Sequence, residues 1–174
     1  MRWFVDGNNV MGSRPDGWWN DPAAAKARLT QEIAEWCRTH DDRVVVVFDR
    51  PVAPAAEQLA GGSLTVEFAP RSGRDAADHH IVTLVEVALT DEAEQTAEAH
   101  EADDTAEGTH GSNGSADQSA DEEADDTAPD DAPGPGLIVV TADRGLIERL
   151  PPGVATLGPG RFRDRIAEHR ERRQ

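Results

Sequence analysis

Cysteine, lysine and long apolar runs are nearly missing from this chain, and each shortage removes a class of protein. A single cysteine, Cys37, in 174 residues cannot close an internal disulfide, and without a cysteine cluster there is no thiolate zinc site. Lys26 is the only lysine, which excludes phosphate-binding loops built on a lysine set among glycines. No stretch approaches the roughly 20 apolar residues that a membrane-spanning helix needs. The first residues show no basic segment leading into an apolar stretch and a small-residue cleavage site, so export is not expected. These shortages predict a cytoplasmic protein without a membrane partner.

What is abundant is acid, and it is unevenly spread. The formal charge is -17, but residues 91–136 hold 16 of the 34 acids, no Lys or Arg, and none of Val, Leu, Ile, Met, Phe or Trp. Such a stretch cannot bury enough surface to offset its ordering entropy, and it is read as a disordered, low-complexity insertion within one domain spanning 1–174. The remaining 128 residues carry 18 acids and 17 bases, so the folding part is nearly neutral and a nucleic-acid partner is not excluded. The last fourteen residues are basic, with six arginines against three acids.

Outside the insertion, strands alternate with helices. Residues 3–5 read as a buried strand ending at Asp6, followed by a polar loop, GNNVMGSRPDGWWN. Asp21 is a plausible N-cap with Pro22 at the first helical position, opening a helix to about Arg38 whose buried face carries Ala25, Leu29, Ile33, Trp36 and Cys37. Residues 44–48 (VVVVF) form a continuous apolar run, the pattern of a parallel strand covered on both faces, and end on Asp49. A short helix near 54–60 leads to a strand at 64–68 (LTVEF), and a helix follows at 75–89. Residues 137–140 (LIVV) give another buried strand, then Thr141, Ala142 and Asp143, a short helix to Leu150, a weak strand at 154–157 and a last helix from about Phe162. This alternation predicts an α/β fold: a mostly parallel sheet between two layers of helices.

In an open parallel sheet ligands bind beyond the carboxyl ends of the strands. Three strands here end in aspartate, at Asp6, Asp49 and Asp143, and the helix opening at Asp75 adds Asp78 and His79 on one face. One aspartate after a strand is commonly a helix cap or turn former. Three at equivalent places on separate strands are more than capping requires. Carboxylates crowded together raise one another's pKa unless a cation is present, and oxygen ligands without cysteine favour Mg²⁺ or Mn²⁺.

The blocks FVDGNNVMGSRPDGWW, VVVVFDRP, DAADHHIV and VVTADRGL resemble the NYN-domain, YacP-like branch of the PIN-like nucleases, over nearly all of the chain outside the insertion. The resemblance implies a three-layer α/β/α PIN-like fold and metal-dependent endonucleolytic cleavage of RNA, with the ribosome as a further partner of some relatives. It places the family's acidic positions on Asp6, Asp78 and Asp143, with Asp49 as a further member, and its asparagine on Asn9. Where relatives commonly carry two adjacent aspartates, this chain has Asp78 followed by His79.

The expected chemistry is phosphodiester hydrolysis with Mg²⁺ or Mn²⁺ held by Asp6, Asp78 and Asp143, and with Asp49 as a further ligand or water-orienting group. Asn8 or Asn9 would bind a carboxylate or phosphate oxygen, and Arg14, Arg71 and Arg74 flanking phosphates. Trp18 and Trp19 would stack on unpaired bases of single-stranded RNA or, equally well, close over the domain as an apolar lid. The alternative is an RNA- or ribosome-binding module of the same fold with weakened catalysis. A dinucleotide oxidoreductase fits poorly, because neither DGNNVMG nor GPGRFR has the required glycine spacing. A phosphatase with an aspartyl nucleophile fits poorly too, since Asn8 stands where its second aspartate belongs.

Overall fold

The computed structural model describes residues 1–73, 75–103 and 136–171. Five strands form one fully parallel sheet: β1 (Arg2–Asp6), β2 (Arg43–Phe48), β3 (Leu64–Phe68), β4 (Leu137–Val140) and β5 (Ala155–Leu157). Their order is β3-β2-β1-β4-β5. The chain therefore builds outward from β1 to β3, then returns across the sheet to continue at β4. The order reverses between β1 and β4, which is where a parallel sheet opens a crevice at its carboxyl edge.

Alternation along the strands sorts side chains into two cores. Trp3 and Val5 of β1, with Val44, Val46 and Phe48 of β2, pack under α2 (Pro22–Cys37) and α6 (Pro159–Glu171). Phe4, Val45, Val47 and Val139 face the other way, against α4 (Ala76–Asp103) and α5 (Arg144–Ile147). Both faces are covered, so the strands can be apolar throughout, and the expected three-layer α/β/α arrangement is the observed one. On the first face Trp3 meets Trp36 edge-on at 5.5 Å and Phe162 at 5.9 Å, fixing α2 and α6 on the central strand. A short α3 (Pro54–Glu57) joins β2 to β3. Among the described residues no helix is long and apolar enough to cross a membrane.

The structure departs from the sequence reading most in two places, while α5 ends at Ile147 and α6 begins at Pro159, each about three residues from the expected bound. The stretch after β1, read as a loop, contains α1 (Gly7–Gly12) and a 3₁₀ turn at Trp18–Asn20. Gly and Asn weaken the helical signal, yet Asp6 caps α1 by accepting the Asn9 N–H at 3.0 Å, and Val10 and Met11 are buried. The helix expected to stop at Leu89 runs on to Asp103, into the acidic segment. Its apolar stripe ends near Ala88, but the alanines and glutamates that follow are good helix formers. The rest of that segment, 104–135, lies outside the described residues.

Lys26 is buried on α2. Its ammonium donates to the carbonyl oxygens of Asp49 and of Pro51, the latter at 2.9 Å, and lies over the rings of Phe48 and Phe68. Burial lowers its pKa, against the pull of the Asp49 carboxylate. The lysine thus holds the turn that presents Asp49. Lys26→Met keeps the apolar stem but strands two carbonyls, and a loss of about 2 kcal/mol in unfolding free energy is expected by urea denaturation.

Candidate functional site

The carboxyl edge of the sheet opens into a cleft of about 710 Å³ where Asp6, Asp49, Asp75, Asp78 and Asp143 meet, with Asn8 and Asn9 beside them. Each acid arrives by a different route. Asp6 closes the central strand, and its register partner on β2 is Val47, so Asp49 emerges two residues further along the neighbouring strand. On the other side Val5 pairs with Val140, and Asp143 follows three residues later. Asp75 and Asp78 come from the start of α4, which is tied to β2 because the Asp49 carboxylate accepts the Ala77 N–H at 3.2 Å.

The side chains are held by a connected set of hydrogen bonds. Asp6 is 5% exposed; one oxygen takes the Asn9 N–H and the other the Thr141 hydroxyl at 3.3 Å. The Asn9 side-chain oxygen accepts the Ala142 N–H at 3.0 Å, joining α1 to the exit of β4. The Thr141 hydroxyl accepts the Asp143 N–H at 3.1 Å, and Asp143 caps α5 by accepting the Leu146 N–H at 3.1 Å. The Asn8 amide donates to Asp49. Asp78 accepts from the Arg149 guanidinium at 2.8 Å. Asp6, Asp49 and Asp143 therefore do bond nearby backbone groups, as the simpler reading of strand-end aspartates has it, while also lining one cleft.

The electrostatics of the cleft are strained. The Asp6 pKa is pushed up to about 6, chiefly by burial, against the Asn9 hydrogen bond, with the Asp78 carboxylate raising it further. That of Asp78 is also raised, by burial first and then by Asp143, against the opposing pull of Arg149. Aspartate in the unfolded chain titrates near 3.8, so between there and pH 6 the native state holds the extra proton. Stability attributable to Asp6 is consequently lost as pH rises through about 6, by roughly 3 kcal/mol for a shift of this size. Asp6→Asn should therefore be more stable than the wild type at pH 7.5 in chelator, and equal to it near pH 3.5. Thermal unfolding at the two pH values checks this, and an equal melting temperature at pH 7.5 contradicts it.

The donors suit a hard divalent cation in kind: oxygen ligands, one of them buried and raised in pKa partly by its neighbours. As they are placed, no three His, Cys, Asp or Glu side chains among the described residues form a ready metal-binding group. Asp78 is engaged by Arg149 and Asp49 by Asn8.

Other candidates lie elsewhere. Arg14 pairs with Asp164 of α6 at 3.5 Å and does not itself line the cleft, although Gly12 and Ser13 just before it do. Arg71 is exposed and does not line the cleft. Arg74 lies outside the described residues. Trp18 packs on the core beside α2, as a lid would, and Trp19 meets it edge-on at 6.0 Å while remaining 55% exposed; neither lines the cleft. His79 is exposed, bonds back to the Asp75 carbonyl at 2.7 Å and does not line the cleft. Sequence reasoning missed Arg149 and the supporting roles of Thr141 and Lys26. Their partners are 71, 135 and 23 residues distant, and no local pattern marks them.

Fold and site together define a three-layer α/β/α protein with an acidic cleft at the switch point of a parallel sheet. This fold is shared with the crystal structure of Rae1 (YacP) from Bacillus subtilis, at 19% identity and a TM-score of 0.56, covering 99% of this chain and 79% of that one. A crystal structure of a single-residue mutant of Rae1 (YacP) matches at 20% identity and a TM-score of 0.53, covering 99% and 80%. The sequence matches no family model and no curated protein.

Proposed function

We propose that the protein is a metal-dependent endoribonuclease of the NYN-domain, YacP-like kind, cleaving single-stranded RNA. One observation carries the reading: strand-end aspartates from β1, β2 and β4 and the acids opening α4 line a single cleft at the topological switch point. The motif resemblance and the fold shared with Rae1 (YacP) support it.

In this reading Asp6, Asp78 and Asp143 hold Mg²⁺ or Mn²⁺. When bound, such an ion supplies a water of lowered pKa and positive charge for the scissile phosphate and leaving oxygen. The chain itself contributes placement. Asn8 and the Ala77 N–H each hold one oxygen of Asp49 at the cleft wall, where the carboxylate would be a further ligand or would orient a metal-bound water. Thr141 and the Asn9 N–H keep Asp6 in one rotamer, so little is spent on ordering it. Asn9 also fixes the Ala142 N–H and with it the turn carrying Asp143.

Incubating the protein with labelled single-stranded RNA in Mn²⁺, Mg²⁺ or chelator tests the reading. Internal cleavage that requires the metal is expected. RNA binding without cleavage in any metal selects the weakened-catalysis binding module, and hydrolysis of a small phosphomonoester but not of RNA selects a phosphatase.

A further inference from the structure

Arg149 bonds directly to a cleft carboxylate, and the hydrolysis described above does not use it. Its Nε donates to the Gly145 carbonyl at 2.7 Å and its Nη2 to Asp78 at 2.8 Å. Its Nη1 lies 3.4 Å from His79 Nδ1. That ring nitrogen is itself 2.7 Å from the Asp75 carbonyl oxygen, which can only accept, so Nδ1 carries a hydrogen and faces Arg149 as a second donor. Two of the five guanidinium N–H groups are therefore satisfied, and the side chain remains 32% exposed. Arg149 is held well enough to stay at the rim and has donors to spare.

Two demands meet at this residue. A divalent ion and a guanidinium both draw on the Asp78 carboxylate and repel each other, so binding of one weakens binding of the other. Among the described residues the cleft wall carries five aspartates and neither Lys nor Arg. A phosphodiester entering it needs a positive group from the rim, and a guanidinium fork matches phosphate oxygens.

We infer that Arg149 is an exchangeable counter-ion: it neutralises Asp78 until a divalent ion engages that carboxylate, and its freed N–H groups then bind a phosphate oxygen of the RNA strand. The Gly145 hydrogen bond is the pivot that keeps the guanidinium at the rim in both positions. This inference rests on the nuclease reading. A purely structural tie between α4 and α5 is the competing account, and it predicts a change in stability with none in ion affinity.

Calorimetric titration of the full chain with Mn²⁺ at pH 7.5 separates them, using wild type, Arg149→Met and Arg149→Lys, each first shown to be folded by circular dichroism. Arg149→Met should bind Mn²⁺ about tenfold more tightly, the usual scale of coupling between competing sites. At saturating Mn²⁺ its KM for single-stranded RNA should rise about tenfold, and Arg149→Lys should recover part of that loss. Folded Arg149→Met that binds Mn²⁺ no more tightly than wild type overturns the counter-ion role, and an unchanged KM overturns the phosphate contact. Wild-type protein that takes up no Mn²⁺ overturns the nuclease reading itself, a result distinct from the other two.

Discussion

Asp6→Asn should lower metal-dependent cleavage of single-stranded RNA by about 10³-fold, the scale on which loss of one well-placed electrostatic group acts. The substitution is nearly isosteric. The asparagine carbonyl oxygen can still accept the Asn9 N–H that closes α1, and its amide can donate to the Thr141 hydroxyl, so the local structure should persist. What is removed is the charge of a buried group whose pKa already stands near 6. A variant both inactive and more stable at neutral pH would locate the cost of the site in an uncompensated carboxylate, a familiar trade of stability for function. Initial cleavage rates at saturating Mn²⁺, together with a melting curve, measure both halves. Wild-type rates in a folded Asp6→Asn protein contradict the assignment.

Gly7→Ala should be among the most damaging substitutions in the chain, although it adds a single methyl group. A Cβ on Gly7 would lie 2.3 Å from Phe48 Cε1 and 2.5 Å from its Cδ1, far inside van der Waals contact. Phe48 has little freedom to yield. It is fully buried, packs against Phe68 at 5.9 Å and lies under the Lys26 ammonium. Either α1 lifts from the sheet or Phe48 moves, and Phe48 immediately precedes Asp49. A loss of about 3 kcal/mol in unfolding free energy is expected, at the upper end of ordinary overpacking, with reduced cleavage because Asp6 and Asp49 are displaced. Gly12→Ala is the control, since an added Cβ there meets nothing within 4 Å. Urea denaturation of the two variants should give well separated midpoints; equal midpoints contradict the packing argument.

The glycine after Asp6 thus has a packing reason, which sequence alone does not reveal. What the sequence does reveal well is anything set by local period and position. The runs at 44–48 and 137–140 are apolar because both faces of those strands are covered, and that same property makes a following aspartate conspicuous. Asp6, Asp49 and Asp143 were legible for that reason, and Asp78 through its place in the first turn of α4. The direction of a loop is a different matter. Arg14 follows Gly12 and Ser13, which line the cleft, but its guanidinium pairs with Asp164 and does not line it. For Trp18 the sequence leaves base stacking and an apolar lid equally open, and in space it packs on the core. Arg149 reads as one more surface arginine until α5 is set against α4.

The acidic insertion shows the limit of composition as a guide. Low hydrophobicity predicts no buried face for residues 91–136, and residues 91–95 are exposed or half-buried, yet helix formation can propagate from a packed turn without one. From the Ala88 end of its buried stripe, α4 continues to Asp103 through a stretch rich in helix-favouring alanine and glutamate, with Asp91 paired to Arg2 at 4.0 Å.

Diffraction from crystals soaked in Mn²⁺, collected at the manganese absorption edge, tests the central claim most directly. The account predicts an anomalous peak in the cleft bounded by Asp6, Asp78 and Asp143, with Arg149 turned away from Asp78. Crystals that diffract well and show no peak there, with the Asp78–Arg149 pair unchanged, would contradict it.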